Sequence, residues 1–324
     1  MTEPPPTPAA GPASGAETAS RPRQAQDSLR QTSAAIILLA PFFWATNTIL
    51  GKAVTDLIPP IGFAFWRWLA AFLIVTPFAW RYLKRDWPLV RRNLPLLALL
   101  GATGTAGFNA LLYLGLQWTE AINALLINAT SPAIIFAATF LLFGDRPRWL
   151  EIAGGILSLG GIVLIAARGD LAALATLTLN PGDLAVVVAM ILYAIYSALL
   201  RKRPAIHPMS FLAVTFFFGA TALLPFWGAE LAMGRAMPTS GVALAAVFYT
   251  AIFPSIVAYF CFNQGVAKLG ANRAGLSLQL IPLFGAGLAI VFLGEAFSAY
   301  HAIGTGLILG GLLLAHARRR KPGA

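Results

Sequence analysis

Long runs of apolar residues, separated by short polar and charged stretches, make up most of this 324-residue chain. A helix rises about 1.5 Å per residue, so about 20 apolar residues cross a hydrocarbon layer about 30 Å thick. The runs of roughly this length cover 33–51, 61–80, 94–116, 121–143, 150–167, 182–200, 209–228, 241–265, 272–293 and 299–316. The short alternating strands of a membrane β-barrel do not appear. The pattern therefore predicts an all-α integral membrane protein with ten transmembrane helices.

The second half of the chain repeats the first at a shift of 150 residues. Residues 115–168 align with 265–318 without a gap, and glycines and prolines coincide at corresponding places. The clearest pairs are Gly115/Gly265, Pro132/Pro282, Gly144/Gly294, Gly154/Gly304, Gly160/Gly310 and Gly161/Gly311. Five segments per half is an odd number, so the second half would enter the membrane upside down. We expect two inverted-topology five-helix repeats, 33–167 and 182–317, after a disordered cytoplasmic tail over 1–32.

Composition and charge placement support a membrane protein and its orientation. Apolar residues make up 58% of the chain and charged residues 11%, whereas soluble domains carry about a quarter charged residues. The net charge of +11 could indicate nucleic-acid binding, but 19 of the 23 Lys and Arg residues lie in the two tails and in alternate loops. By the positive-inside rule, this places both termini in the cytoplasm. The basic charge is therefore a topology signal, and no nucleic-acid partner is expected.

Each half also carries a proline in mid-helix, then a glycine and an acid at the helix end, then spaced glycines. These residues are Pro132, Gly144-Asp145, Gly154 and Gly160-Gly161 in the first half, and Pro282, Gly294-Glu295, Gly304 and Gly310-Gly311 in the second. Trp44 with Asn47 and the run from Arg67 to Ala70 stand near the start. Together these features resemble the EamA repeat of the drug/metabolite transporter superfamily. The sequence departs from that pattern at Asp145, where Glu is usual, and in lacking an arginine in segment 7 opposite Arg67.

The resemblance implies a ten-helix permease of the cytoplasmic membrane that carries small organic metabolites such as amino acids, often outward. It supplies no universal catalytic residues, so the chain is not expected to be an enzyme. The substrate site has to be inferred from the polar residues of this chain.

Polar side chains inside the predicted helices are the candidates for that site, because such groups are costly in hydrocarbon and tend to face a cavity. Helix rise places four of them in the outer half of the membrane, and the repeat carries these positions to the inner half. The outer four are Asn47, Arg67, Asn109 and Asn128, and the inner positions are Tyr196, Thr215, Tyr259 and Leu278 beside Gln279. Tyr113 and Asn263 lie four residues after Asn109 and Tyr259 and share their helix faces.

The full candidate set for substrate binding is Asn47, Arg67, Asn109, Tyr113, Asn128, Tyr196, Tyr259, Asn263 and Gln279. For each residue, an interhelical hydrogen bond is the structural alternative. For Arg67, the alternatives are snorkelling to the surface or capping backbone carbonyls.

Two prolines predict breaks near the middle of segments 4 and 9. Pro132 and Pro282 cannot donate to the carbonyls four residues earlier, so we expect free acceptors at Asn128 and Leu278. Discontinuous helices at a repeat interface hold substrate in many transporters. A simple bend with local satisfaction of these groups is the alternative.

The remaining glycine motifs suggest helix packing. A glycine run over 101–107 lies in an apolar segment with no preceding strand, so it does not predict a phosphate site. Gly104 in this run corresponds to Pro254, and both can loosen a helix. Gly306 and Gly310 suit contact with another helix or a homodimer. The three histidines lack partners at metal-ligand spacing, so neither a metal nor a cofactor is expected.

Two functions remain open, a permease and a non-transporting membrane scaffold or sensor. The polar set favours a secondary transporter, embedded in membrane lipid, that exports a small polar metabolite such as an amino acid by alternating access. We place Glu120 and Glu295 at outer helix ends, Asp145 and Glu151 at inner ones, and the other acids in tails and loops. With no acid in mid-segment, we predict facilitated diffusion or exchange rather than proton coupling.

Overall fold

The computed structural model describes residues 38–119, 124, 127–128, 130–167, 169–170, 180–293 and 298–316, and the regular structure in these ranges is entirely helical. The first half holds α1 (38–53), α2 (Pro60–Arg92), α3 (Leu94–Gly115), α4 (Ser131–Phe143) and α5 (Trp149–Ala166). The second half holds α6 (Pro181–Lys202), α7 (Pro208–Ala232), α8 (Gly241–Leu269), α9 (Ala271–Leu276, then Leu280–Leu293 after a 3₁₀ turn) and α10 (Ala299–His316). The predicted tail over 1–32, Glu120 and Glu295 lie outside the described residues.

Among the described helices, five are long and apolar enough to cross a membrane, namely α2, α3, α6, α7 and α8. Helices α4, α5 and α10 are shorter and also apolar. The chain is thus an all-α membrane protein over its described ranges.

Two helices differ from the predicted segments in extent. Helix α2 continues past the predicted end at residue 80 to Arg92, so the basic stretch 81–92 is helical and not a loop. This stretch is rich in Arg, Leu and Lys, which form helices well, and its last turn holds cations that complement the helix dipole. In segment 4, the described residues 124, 127 and 128 are helical, Thr130 forms a turn, and α4 begins at Ser131. Pro132 then stands in the first turn, where its missing N–H costs no hydrogen bond.

The two halves correspond element by element at the 150-residue shift. Helices α5 and α10 match from end to end. Turns of π-helix interrupt α3 at Gly101–Gly107 and α8 at Ala251–Val257, again in matching positions. These turns contain Gly104 and Pro254, where the sequence predicts a loosened helix.

Glycines bring α5 and α10 into close contact. A Cβ added at Gly154 would lie 2.3 Å from the carbonyl oxygen of Gly311, and one added at Gly161 would lie 2.5 Å from that of Gly304. Gly304 and Gly311 are the repeat equivalents of Gly154 and Gly161, so the contact is reciprocal. Reciprocal contacts of this kind arise between copies related by a two-fold rotation.

Two residues contact their own repeat equivalents. Ser158 donates a hydrogen bond to the carbonyl oxygen of Ile308 at 3.1 Å, and Asn109 Nδ2 donates to the hydroxyl of Tyr259 at 3.3 Å. A residue that meets its own equivalent lies at the two-fold axis relating the copies. If the two halves are related in this way, the axis would pass between α5 and α10 and between the middles of α3 and α8.

The other small-residue pair of α10 does not contribute to this glycine contact. A Cβ added at Gly306 would have no neighbour within 4 Å, and one added at Gly310 would meet only Leu157 Cδ2 at 3.9 Å. Within the described residues, the close packing of α10 therefore uses Gly304 and Gly311.

Helices α2 and α7 are joined at both ends by buried carboxylates. Near the end of α7, Glu230 accepts hydrogen bonds from the backbone amides of Ile61 and Gly62 at the start of α2, at 3.3 and 2.6 Å. Near the end of α2, Asp86 accepts from the backbone amide of His207, the residue before α7, at 2.7 Å. Tertiary contacts therefore bury acids that we expected in tails and loops. The acids found instead in helices are Asp86, Asp183 and Glu230.

Candidate functional site

A fully buried arginine is the centre of the polar cluster. Nη1 of Arg67 lies 2.9 Å from Asn47 Oδ1, 2.7 Å from Asn109 Oδ1 and 2.6 Å from the hydroxyl of Tyr113. Nε donates to Ser255 Oγ at 2.7 Å. Side chains of α1, α3 and α8 thus converge on one guanidinium of α2. This arginine does not snorkel to the surface, and it caps no backbone carbonyl of the described residues.

The charge of Arg67 has no counter-ion in the described part of the chain. All four hydrogen-bond partners are neutral, and Nη2 has no partner among the described residues. The ring of Trp68 lies 4.8 Å from the guanidinium carbon and adds a cation–π contact. The cluster thus holds an unpaired positive charge and a spare hydrogen-bond donor. A buried charge is costly unless it is paired, so an anion that bound here would be favoured.

The π-turn of α8 explains how Ser255 reaches this arginine. Pro254 has no N–H, so the carbonyl of Thr250 loses its helical donor. The hydroxyl of Ser255 donates to that carbonyl at 2.8 Å, and its oxygen is then available to accept from Arg67. The carbonyl of Pro254 accepts from the indole Nε1 of Trp44 at 2.9 Å. Sequence reasoning missed Ser255, although its place after a mid-helix proline was an available signal.

Candidate residues of the second half continue the cluster through α8. The hydroxyl of Tyr259, which accepts from Asn109, donates to the carbonyl of Gly104. A side chain at Gly104 would not fit, because an added Cβ would lie 2.2 Å from the ring of Tyr196. The hydroxyl of Tyr196 donates to Asn263 Oδ1 at 2.7 Å. The structure thus brings Asn109, Tyr259, Tyr196 and Asn263 close to one another.

A cavity of about 350 Å³, open solvent included, lies beside the arginine cluster. Its polar lining comes from α1, from the start of α4 and from Asn128 just before α4, and the rest of its wall is apolar or aromatic. The polar lining residues are Asn47, Thr48, Asn128 and Ser131, and the others are Trp44, Phe108, Leu112, Met190, Tyr193, Leu278 and Ile281. Sequence reasoning did not select Tyr193, although it lies one turn before Tyr196 on α6.

The two amide side chains of this cavity differ in how their oxygens are bonded. Asn47 Oδ1 accepts from Arg67 and from the hydroxyl of Tyr113 at 2.7 Å. Asn128 Oδ1 lies 3.2 Å from the hydroxyl of Ser131, whose one hydrogen is directed mainly at the backbone carbonyl of Asn128. Neither NH₂ group has a hydrogen-bond partner within the described ranges. The cavity therefore presents amide donors in front of a buried cation, which suits an anionic group such as a carboxylate.

One of the two expected free carbonyls is occupied. The hydroxyl of Ser131 donates to the carbonyl of Asn128, so the expectation of a free acceptor there was wrong. The backbone N–H of Leu280 is shared between the carbonyls of Leu278 and Ser277, and the 3₁₀ bond is the one to Ser277.

Gln279 faces away from this cavity. Its Nε2 donates to the carbonyl of Gly155 on α5 at 3.1 Å, and its Oε1 has no partner in the described residues. Thr215 bonds within its own helix, donating to the carbonyl of Phe211 at 2.8 Å. The structure therefore does not bring these two residues into the arginine cluster.

Comparison with known proteins identifies the family. The sequence profile of the EamA-like transporter family matches residues 31–167 and 180–316. An uncharacterized transporter of Archaeoglobus fulgidus is 30% identical over 300 residues, covering 88% of this chain and 98% of the relative. The transporter YyaM of Bacillus subtilis is 26% identical over 280 residues, covering 84% and 90%. A probable terminal-alkyne amino-acid exporter of Streptantibioticus cattleyicolor is 29% identical over 232 residues, covering 70% and 74%.

One solved crystal structure shares the fold, with a TM-score of 0.70 over 88% of this chain and 96% of that chain, at 21% identity. The resemblance noted in the sequence is thus confirmed by the two matched repeats and by the named relatives. The protein is an integral membrane transporter and not an enzyme, and it belongs to the EamA-like transporter family.

Proposed function

We propose that this protein exports a small carboxylate-bearing metabolite, such as an amino acid, by alternating access. The observation that carries the proposal is the buried Arg67, which has no counter-ion among the described residues and stands behind a cavity that presents amide donors. A membrane scaffold would not require a buried cation beside a polar cavity. The relative named as a probable amino-acid exporter supports both the substrate class and the direction.

The cavity wall fits the two parts of such a substrate. The carboxylate would accept hydrogen bonds from the NH₂ groups of Asn47 and Asn128, and Arg67 would hold Asn47 in place and supply positive charge. An ammonium group or an apolar side chain would meet Trp44 and Tyr193, whose ring centroids lie 5.6 Å apart. Predominantly apolar walls with a few placed polar groups are typical of small-molecule sites.

The proposed architecture has ten spanning helices, α1 to α10, in two five-helix repeats of opposite orientation. Reciprocal contacts between α5 and α10 support a two-fold relation between the repeats. The alternation of basic loops supports cytoplasmic termini. In this orientation, Arg67 lies in the outer half of the membrane.

Transport by the purified protein in liposomes tests the substrate and the role of Arg67. Proteoliposomes loaded with one unlabelled amino acid at a time would be assayed for exchange with the same radiolabelled compound. Arg67→Lys keeps the charge but loses the planar fork, so we expect a KM about tenfold higher for the amino acid that is transported. Arg67→Gln should abolish exchange.

Size-exclusion profiles would show whether each variant remains folded, which separates a substrate role from a structural one. A folded Arg67→Gln variant with unchanged exchange would contradict the proposal. Failure of the unaltered protein to exchange any member of the panel would favour the scaffold or sensor.

A further inference from the structure

A second cavity, of about 170 Å³ with open solvent included, lies where α6 ends and α7 begins, against α8. Its wall carries Arg203 and Asn263 between the aromatic side chains of Phe211 and Phe260. No carboxylate is among the described residues that line it. A pocket lined by a cation and amides, without an acid, favours an anion.

Two of the three polar residues of this cavity, Arg203 and Asn263, have donors without strong acceptors, and the third is Gln264. Asn263 is 4% exposed, and its Oδ1 is occupied by the hydroxyl of Tyr196. Its Nδ2 is buried and has no hydrogen-bond partner among the described residues. Nη1 of Arg203 lies 3.4 Å from the backbone oxygen of Asn263, which is a long and weak contact. An acceptor supplied by a ligand would satisfy donors that the protein leaves unpaired.

Arg203 is held partly out of water without a carboxylate partner in the described chain. Its guanidinium lies 5.7 Å from the ring centroid of Phe211, and burial lowers its pKa below the usual value, an effect that Tyr196 only partly offsets. By contrast, Arg201 is exposed and forms a salt bridge with Asp145. The chain therefore keeps the neighbouring arginine paired and leaves the cavity arginine available.

The two cavities are connected by a pair of tyrosines. Tyr193 is in the wall of the first cavity and packs against Tyr196 with 5.6 Å between ring centroids. Tyr196 in turn donates to Asn263 in the wall of the second. One cation thus lies on each side of this tyrosine pair, Arg67 near the first cavity and Arg203 in the second.

We propose that Arg203 and the Nδ2 group of Asn263 form a second carboxylate-binding site, which receives the substrate before it passes to the cavity beside Arg67. This inference rests on the proposed function and orientation, in which the second cavity lies at the cytoplasmic end. A substrate that leaves the cell would meet this site first. With a cationic site on each side of the two tyrosines, a carboxylate that moves past them would have hydrogen-bond donors of the protein at both ends of its path.

Binding of trifluoroacetate, a minimal carboxylate, tests this site without a known substrate. Fluorine NMR line broadening would be titrated on the purified full-length protein and on Arg203→Gln, Asn263→Asp and Arg67→Gln. We expect about tenfold weaker binding at the second site for Arg203→Gln, because a charge-assisted hydrogen bond is lost. Asn263→Asp is isosteric and should abolish binding at this site, because its carboxylate would pair with Arg203. Lys202→Gln removes the same charge from the adjacent exposed residue and should bind as the unaltered protein does.

The outcomes separate this site from the proposed function. Unchanged broadening in folded Arg203→Gln, or no broadening in the unaltered protein, would overturn the second site. Broadening lost only with Arg67→Gln would also overturn it, yet would leave the proposed function intact. If Arg203-dependent binding persists while no amino acid is exchanged, the anion site stands and the proposed function fails.

Discussion

At the scale of single residues, the candidate site depends on which atom of each amide is already bonded. An amide side chain with both ends facing the cavity would offer a donor and an acceptor equally. Because Arg67 and Tyr113 occupy the oxygen of Asn47, only its NH₂ group remains for a ligand. The selectivity for anions that we propose would thus be set by neighbours of the cavity as much as by its lining.

Gly104 is the residue at which a small change should have a large effect. In Gly104→Ala, the added Cβ would lie 2.2 Å from the ring of Tyr196, which is fully buried and cannot move easily. Overpacking of this kind costs about 1–3 kcal/mol, so we expect a lower Tm in detergent.

Gly228→Ala in α7 is the matched control, because an added Cβ there has no neighbour within 4 Å and alanine favours helix formation. Its Tm should be unchanged or slightly higher. Equal Tm values for Gly104→Ala and the unaltered protein would contradict the close packing described here.

At the scale of elements, periodicity predicted which side chains share a helix face, but not what lies opposite them. Asn109 and Tyr113, four residues apart, were expected on one face, and both contact Arg67. Leu278 and Gln279 are adjacent in the 3₁₀ turn, so their side chains point about 120° apart around its axis. Leu278 lines the cavity, while Gln279 contacts α5.

Contacts that depend on irregular backbone or on distant elements could not be read from the sequence. Ser255 reaches Arg67 only because α8 takes a π-turn after losing one backbone donor at Pro254. Asp86 is buried only because the start of α7 packs against it, at His207. The predicted absence of proton coupling stays a prediction.

The paired caps of α2 and α7 should contribute to stability independently. In each, a buried carboxylate accepts from backbone amides at a helix N-terminus, where negative charge is favourable by about 0.3–2 kcal/mol. We expect Glu230→Gln and Asp86→Asn each to lower the free energy of unfolding by roughly this amount. Because the caps lie at opposite ends and share no partner, the double variant should show the sum of the two effects.

Asp145→Asn serves as the control, since Asp145 is exposed and its salt bridge with Arg201 should contribute little. Chemical unfolding in detergent would measure all four variants. A double variant no less stable than either single one would show that the two caps do not act separately.

At the scale of the whole molecule, the repeat and the charge distribution give independent information about orientation in the membrane. Cross-contacts relate Gly154 to Gly311 and Gly161 to Gly304, which supports a two-fold relation but does not say which end faces the cytoplasm. The loop cations supply that information, because they are dense on alternate connections. If both are right, the connection between the repeats must lie on the side opposite to both termini.

Reporter fusions test this arrangement directly. With ten spanning helices and cytoplasmic termini, fusions after Ala324 and within 201–208 should show cytoplasmic reporter activity. Fusions within 169–181, the connection between the repeats, should show external activity, because five helices precede it. The Ala324 fusion is the internal control, since an even number of spans returns the chain to its starting side. A cytoplasmic signal from 169–181 alongside a cytoplasmic C-terminus would require an even number of spans in each half, and the two repeats would then have the same orientation.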